Sequence, residues 1–81
     1  MRHDMTNEAI ISVIAEALEI EPAMLSPETR IEDVEAWSSL GWLTVAAVVD
    51  ERFGILLGAR RIRGFQTVGD VIECIKAERP A

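Results

Sequence analysis

The stretch that decides the fold is Glu35-Ala36-Trp37-Ser38-Ser39-Leu40-Gly41-Trp42-Leu43, where an acidic segment meets the ten uncharged residues 40–49. Serine caps helix starts well because its hydroxyl accepts a hydrogen bond from a backbone N–H that has no partner inside the helix. The two serines therefore predict a helix that begins at Ser38 or Ser39 and ends near Phe53. A helix N-terminus also stabilises negative charge, so a phosphate attached there would be favoured. Two interpretations stay equally open at this point: both serines only cap the helix, or one of them carries such a group.

The helix predicted over residues 39–53 is apolar on two faces, and each face has the spacing of a helical stripe. The first stripe contains Trp42, Val45, Ala46, Val49 and Phe53. The second contains Leu40, Leu43, Ala47 and Val48. A domain of 81 residues has too little interior to enclose both faces. We therefore expect the first stripe to lie in the core and the second to remain partly open to a partner.

Upstream of this helix the sequence predicts one helix and one long connection. Thr6 or Asn7 can cap a helix over residues 6–18, whose apolar positions follow helical spacing. The connection contains Pro22 and Pro27, which do not suit a helix interior. We expect three apolar residues to hold this long segment against the core. They are Leu25, Ile31 and Val34.

Downstream, Gly54 suits the C-terminal cap of the second helix. A short helix is predicted over residues 59–63, which include three of the eight basic residues. We favour a solvated turn anchored by Ile62 over a binding patch there. A last helix is predicted over residues 67–78, with Thr67 and Asp70 similar to a capping box. The layout predicts an all-α fold, a four-helix bundle of three main helices plus one short helix, in a single domain spanning 1–81.

Charge and composition exclude several classes of function. The net charge is −6, which makes nucleic acid an unfavourable partner. No apolar run has the length of a signal peptide or a membrane span, so we expect a cytoplasmic protein without a membrane partner. The single cysteine, Cys74, excludes an intrachain disulfide, and we expect its thiol to be buried and inert. His3 is the only histidine, so no metal site and no His-based catalytic triad are expected.

The chain resembles the acyl carrier protein family, in its discrete form, over nearly its whole length. The segment 26–33 is similar to the family's loop before its motif, and Trp37-Ser38-Ser39-Leu40 stands where the family has Asp-Ser-Leu. Residues 50–55 match the acidic-Phe-Gly-Ile end of the family's second helix, and residues 67–72 match the Thr-Val-Gly-Asp entry to its last helix. Each piece is weak alone, but four pieces in the right order and spacing are a specific signal.

The resemblance implies that Ser39 carries a covalent 4′-phosphopantetheine arm whose terminal thiol holds an acyl or aminoacyl group as a thioester. The cofactor then supplies the chemistry, and the protein itself is not an enzyme. The implied partners are a phosphopantetheinyl transferase and the enzymes that load and process the acyl group, and the implied state is a monomer. The residues implied in partner binding are Ser38, Leu40, Leu43 and Ala47.

One departure from the family keeps a second hypothesis open. The family has Asp directly before the modified serine, whereas this chain has Ser38, and in the family that Asp assists the transferase near its metal ion. The alternative is therefore a carrier-like module that is never modified and acts only by binding other proteins. A hydrolase that uses Ser39 as nucleophile is disfavoured, because the sequence places no general base nearby.

Overall fold

The computed structural model describes residues 6–78, and these residues form helices joined by loops and single turns of 3-10 helix. The helices are α1 (Asn7–Leu18), α2 (Ser39–Phe53), α3 (Ala59–Gly64) and α4 (Val68–Glu78), with 3-10 turns at Pro22–Met24 and Ile31–Asp33. The predicted all-α order is confirmed. Among the described residues, no helix combines the length and the apolar character that crossing a membrane requires. His3 and the two ends of the predicted 1–81 domain lie outside the described residues.

The predicted starts of α1 and α4, residues 6 and 67, are each one residue too early. A threonine occupies each of these positions as the cap, so the helix itself begins at the next residue. Thr6 has an extended backbone, and its hydroxyl accepts a hydrogen bond from the N–H of Ala9 at 3.1 Å. At α4 the predicted capping box is confirmed, since the N–H of Asp70 donates to Thr67 Oγ1 at 3.2 Å and the N–H of Thr67 donates to Asp70 Oδ2 at 3.1 Å. Asp70 also accepts from the N–H of Gln66, and these backbone donors lower the pKa of its carboxyl group.

The core is built from the apolar faces of α1, α2 and α4, closed by residues of the loops. Val45 and Val49 of the first α2 stripe are fully buried. The expected anchors of the long connection also reach the core, since Leu25 and Ile31 are buried in it and Val34, which is partly buried, packs against it. The remaining buried residues are Ile10, Ile11, Ile14, Ala15, Leu18, Trp37, Ile55, Leu57, Val68, Val71, Ile72 and Ile75.

Backbone hydrogen bonds fasten the connection between α1 and α2 to the start of α4. The N–H of Ile31 donates to the carbonyl of Gln66 at 2.9 Å. In the other direction, the N–H groups of Val68 and Gly69 donate to the carbonyls of Thr29 and Pro27, both at 2.9 Å. The connection between α1 and α2 is therefore held both by its apolar side chains and by a short ladder of backbone hydrogen bonds to residues 66–69.

The short helix α3 is anchored by Ile62, as the sequence predicts, and it also provides a neighbour for Cys74. Ile62 packs against the core, while the arginines of α3 are exposed. Arg61 donates one hydrogen bond to Cys74 Sγ at 3.5 Å and forms an ion pair with Glu78 at 2.8 Å. The expectation of a buried thiol is wrong: Cys74 is half-buried, because it faces the edge of the bundle where α3 meets α4.

Candidate functional site

The two serines at the start of α2 have different roles. Ser38 is the cap: its hydroxyl accepts from the N–H of Gly41 at 3.3 Å, and its carbonyl accepts from the N–H of Trp42 at 2.8 Å. Ser39 is the first helical residue and is exposed, and its hydroxyl makes no hydrogen bond within residues 6–78. Its hydroxyl is therefore not needed to start the helix and stays accessible to another protein.

Backbone N–H groups that have no acceptor within the helix lie next to the Ser39 hydroxyl at the start of α2. The first N–H groups of an α-helix have no acceptor within the helix, and in α2 only that of Gly41 is satisfied by the cap. The N–H groups of Ser39 and Leu40 therefore remain for water or for an anion. Together with the helix dipole, they favour negative charge at this position.

At Gly41, the backbone of Ala36 in the segment leading to the site passes close to α2. A Cβ atom at this position would lie 2.4 Å from the carbonyl oxygen of Ala36 and 3.1 Å from Leu18 Cδ2. The structure gives the steric reason for glycine: the Ala36 backbone occupies the space of a side chain.

Gly41→Ala is accordingly expected to destabilise the protein, although alanine is the better helix former by about 1 kcal/mol. The contact is with backbone, which relaxes poorly, and overpacking of this kind costs about 1–3 kcal/mol. Gly64→Ala is the matched control, since Gly64 is also helical and a Cβ there meets nothing within 4 Å. Urea melts of both variants test this, and equal stability of the two would show that the Ala36 segment moves aside freely.

A groove of about 400 Å³ opens beside Ser39, between the start of α2 and the segment after α3. Its aromatic walls are Trp37, Trp42 and Phe65. The ring centroids of Trp37 and Trp42 are 4.9 Å apart, and those of Trp42 and Phe65 are 6.0 Å apart. Arg30 and Glu32 also line the groove, and their side chains form an ion pair at 2.9 Å.

Sequence reasoning missed the groove, although a signal for it was present. Trp37 directly precedes the Ser38 cap, and Trp42 is the fourth residue of the helix. Apolar residues at these two positions commonly pack together and fix the angle at which the chain enters a helix. This pairing places Trp37 beside Trp42, but the approach of Phe65 depends on the packing of the whole bundle.

The indole N–H of Trp37 is a buried donor without an acceptor. The Trp37 side chain is 4% exposed, and its Nε1 atom has no hydrogen-bond partner in the described part of the chain. Leaving a buried donor unsatisfied costs about 1–3 kcal/mol. Trp37 also lines the groove beside Ser39, but its Nε1 atom is buried and is not exposed there.

The exposed stripe of α2, called here the partner strip, consists of Leu40, Leu43 and Ala47. Leu40 is 72% exposed and Leu43 is 69% exposed, whereas Val45 and Val49 on the opposite face are fully buried. Ala47 is also exposed, but Val48 is half-buried, so the open part is narrower than the predicted stripe. The division into a core face and an open face is confirmed; binding of a partner to the open face stays a prediction.

Several known proteins are similar to this chain. A family model described as phosphopantetheine attachment site matches residues 8–75. The meromycolate extension acyl carrier proteins of Mycobacterium leprae and Mycobacterium tuberculosis (strain ATCC 25618 / H37Rv) are each 33% identical over 76 residues, which cover 89% of this chain and 66% of theirs. The same-named protein of Mycolicibacterium smegmatis is 32% identical over 75 residues, with 88% and 76% covered. This chain thus spans about two thirds of the length of the two mycobacterial relatives.

The solution structure of the holo acyl carrier protein from Geobacter metallireducens is similar to this fold. The two superpose with a TM-score of 0.78 at 19% sequence identity, covering 90% of this chain and 84% of the other. At this identity the likeness establishes the fold alone.

Proposed function

Since this chain belongs to the phosphopantetheine-attachment family, whose model matches residues 8–75, we propose that it is an acyl carrier with Ser39 as its attachment residue. The arm, 4′-phosphopantetheine, is covalently bound in this family and supplies the thiol that holds an acyl or aminoacyl group as a thioester. The observation that carries the choice of Ser39 is its exposed hydroxyl at the first position of α2, directly after the Ser38 cap. We further propose that residues 1–81 form one carrier domain.

The residues around Ser39 fit the arm. A phosphodiester on the Ser39 oxygen would lie next to the unpaired N–H groups at the start of α2, which favour negative charge. The adjoining groove offers aromatic carbon, and pantetheine contains apolar carbon that can pack against it. Ser39 would hold the group and the N-terminus of α2 would stabilise its phosphate.

A carrier role also fits the surroundings of Ser39, where residues 6–78 place no general base on its hydroxyl. Glu32 is the carboxylate that lines the same groove, and it is already bound to Arg30 at 2.9 Å. A serine nucleophile needs a general base within hydrogen-bond reach, but the Ser39 hydroxyl has no hydrogen-bond partner within residues 6–78. We therefore propose that the protein presents its acyl group to other enzymes and does not itself transform it.

The proposed partners are a phosphopantetheinyl transferase and acyl-loading and acyl-processing enzymes, which would contact the partner strip and Ser38. Leu40 and Leu43 provide exposed apolar area next to the attachment residue. The protein is acidic overall, so a basic patch around the partner's binding groove would add favourable long-range attraction. We propose that the carrier is a cytoplasmic monomer.

The intact mass of the protein after incubation with coenzyme A and a broad-specificity transferase tests this function. We expect one phosphopantetheinyl group per chain, followed by transfer of an acyl group to the new thiol when a loading enzyme is added. A protein that is folded by circular dichroism but gains no mass would favour the alternative, an unmodified carrier-like interaction module. The serine in place of the family's Asp at position 38 is the feature that motivates this alternative.

Ser38→Asp is expected to speed modification and to change the free energy of unfolding by no more than about 1 kcal/mol. Aspartate caps a helix about as well as serine, and it restores the charge that assists the transferase in the family. Ser38→Asn is the control, since asparagine also caps but adds no charge. Initial rates of modification measure the effect, and equal rates for the Asp and Asn variants would show that this charge does not limit the reaction.

A further inference from the structure

Glu19 ends α1 in a backbone conformation that favours glycine. Its φ is 59° and its ψ is 43°, in the left-handed region, and within residues 6–78 it is the one residue other than glycine with a positive φ. A Cβ atom makes this conformation unfavourable, so helices commonly end with glycine, as α2 ends with Gly54 at a φ of 70°. Backbone strain of this kind points to a use for the side chain beyond ending the helix.

The carboxylate of Glu19 has no partner among the described residues. Glu16, three residues earlier on α1, forms an ion pair with Arg52 at 2.9 Å, but Glu19 takes part in none of the ion pairs within residues 6–78. Its side chain is exposed. The charge of Glu19 is therefore not used to hold the fold together and is available to another molecule.

Glu19 lies on the wall of a groove of about 240 Å³ between α1 and α2, called here the α1–α2 groove. Ser38 and Leu40, which flank the attachment residue, line the same groove. The two helices approach closely at this point, since a Cβ atom on Gly41 would lie 3.1 Å from Cδ2 of Leu18, the residue before Glu19. The fold thus brings the end of α1 next to the start of α2.

Residues 36–49 contain no charged side chain, so a charge beside the attachment residue has to come from outside this segment. Two carboxylates line the grooves that also contain Ser38, namely Glu32 in the groove of about 400 Å³ and Glu19 in the α1–α2 groove. The charge of Glu32 is balanced by its ion pair with Arg30. Glu19 is the one of these two that leaves a net negative charge there.

We propose that Glu19 is a specificity-determining residue for the transferase: from the end of α1, its carboxylate supplies the negative charge that the family places directly before its modified serine. The inference rests on the proposed attachment at Ser39. A transferase that covers Ser39 and the exposed Leu40 would also meet the α1–α2 groove, and its basic patch would be attracted to Glu19. Glu19 is a positioning residue, which aids docking and takes no part in the chemical step.

The test is kcat/KM for the carrier in modification by coenzyme A and a broad-specificity transferase. Glu19→Gln should lower it by about 2- to 5-fold at low ionic strength, the factor that corresponds to one exposed charge pair at the upper end of its usual strength. The loss should shrink at high salt, because salt screens exposed charges. Glu21→Gln is the matched control and should keep the wild-type value, since Glu21 is also exposed but does not line the α1–α2 groove.

Glu19→Gly separates the effect on docking from any effect on folding. Glycine suits the left-handed conformation, so this variant should unfold at a higher denaturant concentration than the wild-type protein. Its modification should nevertheless slow as much as that of Glu19→Gln. A residue with only a structural role would not raise stability and lower kcat/KM in the same variant.

In the Ser38→Asp background, Glu19→Gln should have little effect, because the aspartate then provides the charge. A wild-type kcat/KM for Glu19→Gln, the same loss for Glu21→Gln, or the same loss in both backgrounds would overturn the role of Glu19 and leave the carrier function standing. If Ser38→Asp gains the arm and the wild-type protein does not, Glu19 fails to supply the charge. If neither gains it, the proposed function falls, and the role of Glu19 falls with it.

Discussion

Ser39→Ala is expected to abolish the addition of the phosphopantetheinyl group completely, while the helical circular dichroism stays at the wild-type level. The hydroxyl of Ser39 makes no hydrogen bond within residues 6–78, and alanine at the first position of a helix is well tolerated. The substitution thus removes the proposed acceptor of the arm and little else. Intact mass after incubation with coenzyme A and transferase measures the loss.

Ser38→Ala is the matched control for this prediction and should behave in the opposite way. Ser38 provides the cap of α2, and loss of a serine cap costs about 1 kcal/mol. We therefore expect Ser38→Ala to melt at lower denaturant concentration and still to gain the arm. Addition of the arm to the Ser39→Ala protein, for example on Ser38, would refute the assignment of Ser39.

Val49→Ala and Leu43→Ala are expected to affect different properties of the protein. The first should lower its stability, and the second should weaken its docking to partner enzymes. Val49 is fully buried, so its truncation removes two core methyl groups and leaves a small cavity, at a cost of about 1–3 kcal/mol in the free energy of unfolding. Leu43 is 69% exposed, so its truncation should cost well under that. It should instead weaken docking of a transferase or a loading enzyme to the partner strip.

Denaturant melts and loading rates per folded molecule decide between the two effects. Each variant serves as the control for the other, because both residues lie on α2 and both substitutions remove side-chain carbon. If Leu43→Ala is as destabilising as Val49→Ala and its loading rate is unchanged, Leu43 belongs to the core in solution. The partner surface would then lie elsewhere, in the acidic connection before α2 or around the arginines of α3.

The helices were predictable because their causes are local in the sequence. The spacing of Val45 and Val49 against Leu40 and Leu43 is enough to separate the buried face of α2 from its open face. The cap at Ser38 and the reciprocal bonds of Thr67 and Asp70 follow from residue types that compete well for the N–H groups at a helix start.

What the sequence left undetermined depends on contacts between distant segments. The bonds of Ile31 to Gln66 and of Val68 to Thr29 join backbone groups, which every residue has, so no residue type indicates them. Cys74 looked buried from its apolar neighbours, but its exposure depends on where α3 lies. The groove needed Phe65 to approach Trp42 across the bundle, and helical spacing within α2 does not encode this approach.

The backbone hydrogen bonds that tie the connection before α2 to the start of α4 determine when, during synthesis, the segment leading to Ser39 can become ordered. The segment leading to Ser39 is bonded through Pro27, Thr29 and Ile31 to residues 66–69, which leave the ribosome some thirty residues after Ser39. A nascent chain that ends before residue 66 lacks these backbone partners, and it also lacks the buried α4 residues that close the core. We therefore expect a modifying enzyme to meet an ordered attachment segment only after residues 66–78 have also been translated.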